Sequence, residues 1–255
     1  MPKKRLVFTL LYQQGGFYLS RNFRLQRVGD LNWLQRHYHF AAIASAIDEL
    51  VILDVSRDHR DRAAFCAAVA QVSANCFMPL ALGGGILSLA DAEILVSNGA
   101  DKLLLNTALV SDPDLVRELV SIYGSQCIIA SIDYRVECGE FVVYIDQGRR
   151  RHDQSLQRYV EQLASMQVGE LYLNSIDRDG TGQGYCLESI AQLVAAPHLP
   201  VILAGGAGNQ FHLLQGLQCA GVDAAATANL FNFIGDGLPR ARTHLIDHGI
   251  AMARW

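Results

Sequence analysis

Leu82-Gly83-Gly84-Gly85 and Ala204-Gly205-Gly206-Ala207-Gly208 decide how this chain is read. Each closes a short apolar run and precedes a helix-length segment, and Gly83 and Gly205 lie 122 residues apart. The register persists downstream, where Gly99 and Asp101 fall on Gly221 and Asp223. A unit of strand, glycine turn and helix points backbone N–H groups at an anion, so two copies imply a ligand phosphorylated at both ends. The same offset carries Asp133 onto Leu11, so a site that symmetry would furnish with two carboxylates holds one.

Working outward, short apolar runs recur at 6–11, 49–55, 79–85, 102–107, 126–133, 170–176, 200–205 and 223–231. Most are continuous rather than alternating, as strands buried on both faces of a parallel sheet are. The segments between them carry helix starts: Ser88-Leu89-Ala90-Asp91 resembles a capping box, and Asp112-Pro113-Asp114 places a proline in the first turn. Eight strand-then-helix units in 255 residues predict an α/β fold, a (β/α)8 TIM barrel with a two-fold half-barrel repeat, formed as one domain over 1–255. An open doubly wound sheet explains neither the duplication nor the paired turns.

Composition narrows the function. With 51% hydrophobic and 18% charged residues the chain reads as a compact enzyme, and a net charge of −4 speaks against a nucleic-acid surface. Arg149-Arg150-Arg151, the one dense basic run, follows the hairpin signal Phe141-Val142-Val143-Tyr144 and is either a solvated loop tip or a loop that meets an anionic substrate. The six cysteines, Cys76 among them, form no C-x-x-C pair, the N-terminus shows no signal peptide, and no apolar stretch spans a bilayer. A cytoplasmic protein with free thiols and no membrane contact is expected. The eight histidines lack ligand spacing, and His37 and His39 diverge on a helix-like segment, so neither a metal nor another cofactor is expected.

In a barrel of this kind, chemistry belongs at the C-terminal ends of the strands. Asp54, Asn106-Thr107, Asp133 and Asp177-Arg178-Asp179-Gly180-Thr181 stand there. Asp133 has no turn residue at hand and should point into the mouth; Asp54, Asp177 and Asp179 are candidate substrate-binding residues, although Asp177 alone also reads as a helix cap. Gly84, Gly85, Asn106 and Thr107 form one candidate phosphate site, and Gly205, Gly206, Ala228 and Asn229 the other. At the opposite pole Arg5, Glu49, Lys102 and Glu170 open four strands. On the residues alone they are either an ion-pair network closing the barrel floor or a gate for a small neutral molecule.

The chain resembles the cyclase subunit of imidazole glycerol phosphate synthase, the HisF family, across nearly its full length. The resemblance rests on Lys4-Arg5, Asn22-Phe23, Asp48-Glu49-Leu50, Gly83-Gly84-Gly85-Ile86, Ala100-Asp101-Lys102, Gly124-Ser125-Gln126, Ile132-Asp133, Ser175-Ile176-Asp177-Arg178-Asp179-Gly180-Thr181 and Gly205-Gly206-Ala207-Gly208. It implies a partner glutaminase on the N-terminal face whose ammonia travels through the barrel, with Arg5, Glu49, Lys102 and Glu170 as the gate and Asp101 at the partner interface. The chain has no glutaminase constellation of its own.

The resemblance also exposes departures. The family's first catalytic aspartate falls on Leu11 and its mobile-loop lysine on Leu19; Ala204 and Asn229 replace serines, and His152-Asp153 replaces Thr-Gly. Leucine neither accepts nor donates a proton, and losing one acid/base group costs about 10²–10⁴-fold in rate. This pattern, with Cys76-Phe77-Met78-Pro79 and Leu173-Asn174-Ser175-Ile176-Asp177, resembles a branch whose members deliver ammonia, with a HisH-like glutaminase and a sugar amidotransferase, for amidation of surface sugars. The alternatives are a true histidine-pathway cyclase and an inactive docking scaffold.

Overall fold

In a computed structural model of the chain, β1 (Arg5–Gln13) sends Leu6, Phe8, Leu10 and Tyr12 outward into the helix layer and Val7 inward to an axis, all of them buried. Burial on both faces is why the run reads as continuous apolar sequence. The structure describes residues 3–38, 43, 45–74, 77–193, 199–229 and 231–253, so His39 and Cys76 lie outside the described residues. β1 pairs in parallel with β4 (Glu49–Asp54) and with β12 (Ala224–Thr227). The ring continues through β5 (Leu80–Gly83), β6 (Lys102–Leu105), β7 (Ile128–Glu137), β10 (Glu170–Ser175) and β11 (Val201–Ala204), each parallel to the next, and β12 closes on β1. Eight parallel strands with helices between them make the expected (β/α)8 barrel.

Val7, Val51, Ala81, Leu104, Ile129, Tyr172, Ile202 and Ala224 fill the inside as an apolar sleeve. Tyr172 Oη and Thr9 Oγ1 share a hydrogen bond of 2.9 Å within it. The helix starts follow the sequence signals. Ser88 Oγ accepts from Asp91 N while Asp91 Oδ2 accepts from Leu87 N, and Asp112 caps the helix Pro113–Tyr123 through Leu115 N. Three aspartates repeat one device at the N-terminal pole: Asp48, Asp101 and Asp223 each accept an N–H from the first or second residue of a neighbouring strand, Leu6 (2.8 Å), Leu80 (2.8 Å) and Val201 (3.1 Å).

Several local readings are corrected. Gly84, not Gly83, is the counterpart of Gly205, because β5 ends at Gly83 as β11 ends at Ala204. A Cβ on Gly84 would meet Asp54 O at 2.1 Å, and one on Gly205 would meet Ser175 O at 2.6 Å. The eighth strand stops at Thr227, since Asn229 Oδ1 accepts from Phe231 N and Asn232 N and turns the chain. Between β10 and β11 the described residues hold only a four-residue helix, Glu188–Ala191, because Gly180, Gly182 and Gly184 adopt positive φ and keep the chain in turns. Two antiparallel extensions rise over the C-terminal mouth: β2 (Gly16–Arg21) with β3 (Arg24–Gly29), and β8 (Glu140–Ile145) with β9 (Arg150–Ser155). Arg150 and Arg151 thus begin a strand. No helix among the described residues is long and apolar enough to cross a membrane.

Candidate active site

The strand register brings the polar residues of the two halves to one cavity. A space of about 1170 Å³ at the C-terminal mouth is lined by both glycine turns, by Asn106 and Thr107, Ala228 and Asn229, by Asp54, Asp133, Asp177 and Asp179, and by Leu11 and Leu19. Arg149, Arg150 and Arg151 are not among its lining residues; they are exposed, but Arg150 and Arg151 open β9, so the reading as a solvated loop tip holds for Arg149 alone. Arg149 instead pairs with Asp146 at 2.9 Å and Arg151 with Glu137 at 3.4 Å.

Asp133 sits inside β7 with 7% of its surface exposed. Its Oδ1 accepts from Asn174 Nδ2 and its Oδ2 from Asn106 Nδ2, both at 3.1 Å. Burial raises its pKa from the usual carboxylate range to about 7, against the pull of the Asn174 hydrogen bond and with the push of the Asp179 charge. A carboxyl poised there exchanges a proton near neutrality, the property a general base needs. The register Leu11↔Leu53 repeats Asp133↔Asn174, so the first half presents two leucines where the second presents an acid and an amide. Leu11 is 8% exposed at this site.

The other acids divide by task. Asp54 Oδ1 accepts from Ser56 N at 3.0 Å, while its buried Oδ2 has no protein partner and is the first-half carboxylate with free acceptor capacity in the cavity wall. Asp177 caps no helix: its Oδ2 accepts from Val136 N at 2.8 Å and pins the β7–β8 hairpin. Asp179 accepts from Ser20 Oγ and Phe23 N and clamps the β2–β3 hairpin, which carries Leu19, over the mouth. Burial raises the Asp179 carboxyl's pKa.

At the second turn, the Asn229 side chain is occupied by the following turn, and Asn229 N donates to Thr227 Oγ1. Sequence reading missed Asn174, legible only through its register opposite Asp133, and the arginines Arg24, Arg57 and Arg60 of the mouth, which carry no motif. Among the described residues no group of acidic, histidine or cysteine side chains is arranged to hold a metal ion.

The N-terminal pole carries a closed ring of charge. Arg5 bonds Glu49 Oε2 at 2.8 Å and also binds Glu170, while Lys102 Nζ bridges Glu49 Oε2 at 2.8 Å and Glu170 Oε2 at 3.1 Å. Burial raises the Glu49 carboxyl's pKa, opposed chiefly by Lys102. The sleeve lies between this ring and the mouth. Asp101 fixes β5 from the same pole with one oxygen.

A barrel with paired glycine turns at one mouth and a four-charge ring at the other can be compared with known proteins. Residues 35–235 match the family model of the histidine biosynthesis protein family. A protein of Parasynechococcus marenigrum, provisionally named imidazole glycerol phosphate synthase subunit hisF2, is 45% identical over all of this chain and 95% of its own length. The chain belongs to the HisF family. Proteins named imidazole glycerol phosphate synthase subunit HisF are 34% identical in Chlorobaculum parvum, over 99% of both chains, and 36% identical in an Exiguobacterium species, over 91% of this chain and 89% of the relative. HisF-family membership accounts for the fold and the duplicated turns, and it makes Leu11 a feature to explain.

Proposed function

We propose that this HisF-family chain is the ammonia-receiving barrel of a glutamine-dependent complex that amidates a surface-glycan sugar in the cytoplasm. A HisH-like glutaminase covers the N-terminal pole at Asp101, and ammonia passes Arg5, Glu49, Lys102 and Glu170. The apolar sleeve then favours neutral ammonia over ammonium, because an unpaired charge is expensive to bury. At the mouth a phosphorylated ligand is held between the turns Gly84–Gly85, with Asn106 and Thr107, and Gly205–Gly206, with Ala228 and Asn229. Asp54, Asp177 and Asp179 frame it, Asp133 serves as the single proton-exchanging group, and a sugar amidotransferase is the further partner.

The observation that carries this reading is Leu11 at the position that the half-barrel register sets against Asp133. A two-carboxylate cyclization lacks one participant there, whereas accepting a proton from incoming nitrogen needs only one base. The reading that competes is the cyclase named in the HisF relatives, and one assay separates them. Ammonium salt and the phosphoribulosyl formimino substrate, supplied directly, should yield imidazole glycerol phosphate at a rate depressed by about 10²–10⁴-fold relative to an ordinary cyclase. Partial rescue by Leu11→Asp with Leu19→Lys supports the proposal. Wild-type turnover within about tenfold of an ordinary cyclase overturns it, since so small a deficit is less than the loss of one acid/base group.

A further inference from the structure

Arg60 stands on the loop between β4 and the helix Arg62–Ser73, at the mouth, and lies against the first glycine turn. A Cβ on Gly85 would come within 2.6 Å of Arg60 Nε and 2.8 Å of its Cζ. Nε is shielded from solvent, and among the described residues it has no hydrogen-bond partner and the guanidinium no ion pair. Its neighbour Arg62 has both terminal nitrogens engaged: it donates to Gly84 O and Gly85 O at 2.9 Å each and reaches Asp91 at 3.5 Å, and only its Nε is left over. Because a trans peptide sets its N–H opposite its C=O, holding those two carbonyls turns the N–H groups of Gly85 and Ile86 to the other side. Arg57, three residues before Arg60, lines the same cavity and spends one N–H on Phe23 O at 3.0 Å.

At the second turn the atoms nearest a Cβ on Gly205 are Ser175 O and N and Asn174 Oδ1. The turn's neighbour Arg178 approaches Gly206, but its side chain lines a different space, beside Cys186 and Glu188. A guanidinium thus lies against Gly85, whereas at Gly206 the nearby arginine presents its Cβ. A part-buried guanidinium with an unpaired N–H is unfavourable without an anion, and its planar fork matches phosphate oxygens.

We propose that the first glycine turn, with Arg60 and Arg57, binds a diphosphate: one phosphoryl group on the turn N–H groups, the other against the two guanidiniums. The proposal rests on the reading of Gly84, Gly85, Asn106 and Thr107 as an anion cradle, and adds that the ligand at this end carries two linked phosphoryl groups rather than one. Substrates of that class are activated, diphosphate-linked molecules.

Calorimetric titration with inorganic pyrophosphate and inorganic phosphate tests it, using the wild type, Arg60→Gln, Arg60→Lys and, as a charge control outside the cavity, Arg149→Gln, all checked for folding by thermal melting. The wild type and Arg149→Gln should bind pyrophosphate about tenfold or more tighter than phosphate, the worth of one added charge-assisted pair. Arg60→Gln should still bind phosphate but lose most of the preference, and Arg60→Lys should keep part of it. A wild type that binds both anions equally, or an Arg60→Gln or Arg149→Gln variant that behaves against these expectations, overturns the diphosphate proposal and leaves the cradle standing. A wild type that binds neither anion overturns both.

Discussion

Replacing Lys102 with methionine separates a gate from a structural ring. Lys102 bridges Glu49 and Glu170, and both carboxylates are almost fully buried, so its loss leaves them with Arg5 alone. Removing one member of a buried ion pair destabilises by about 3–5 kcal/mol; Arg5 remains and Lys102 is partly exposed, so roughly 2–3 kcal/mol is expected here. For a chain of this length that corresponds to a fall in Tm of roughly 4–12 °C. The pH dependence fixes the mechanism. Burial already raises the Glu49 pKa, so its charged form weighs against folding as pH rises through the raised value, and taking away Lys102, the chief opposing influence, raises it further. The deficit should therefore grow as pH rises above the ordinary carboxylate range and vanish below that range, where Glu49 is protonated in both folded and unfolded chains. Scanning calorimetry across that range measures this, and glutamine hydrolysis against amidation in the reconstituted complex measures coupling. A deficit that grows on acidification refutes the electrostatic account. Unchanged coupling in a folded variant refutes the gate.

Two further outcomes follow from buried charge. Arg242→Met should destabilise by about 3–5 kcal/mol in urea unfolding, because Arg242 forms a bidentate pair with Asp48 at 2.9 and 3.0 Å and also holds the carbonyl of Ala46, and its loss leaves a buried carboxylate with the Leu6 N–H but without its counter-charge. Asp133→Asn should raise Tm at pH 8, where the wild-type carboxylate is charged against its burial, with the advantage disappearing below about pH 4; the same change should abolish any proton transfer at the site. A Tm difference independent of pH would show that the carboxyl is not held near pH 7.

What the sequence made legible was whatever repeats. Eight apolar runs, most of them continuous, pointed to the barrel, and the duplicated glycine turns to the mouth, because backbone conformation and two-sided burial leave a local imprint. Even the one-residue slip that paired Gly83 with Gly205 is a matter of where a strand ends. Asn174 and Arg60 left no such imprint. An asparagine within an apolar strand and an arginine in a charged loop are ordinary residues until the register sets one beside Asp133 and the other against Gly85. Arg242 was hidden for the same reason: its partner Asp48 is 194 residues away. Asp177 read as a cap because a strand-ending acid usually meets the next helix; here the next backbone N–H within reach belongs to the β7–β8 hairpin. The departures follow the opposite logic, since Leu11 and Leu19 were conspicuous only against a pattern that demands a charge. Their packing explains why the chain tolerates them: both line the same cavity, Leu11 beside Leu53, so two apolar side chains meet in a wall that elsewhere carries acids. Opposite Asp133, then, the register sets leucine rather than a second acid, and the first-half carboxylate with free acceptor capacity in the cavity wall is Asp54.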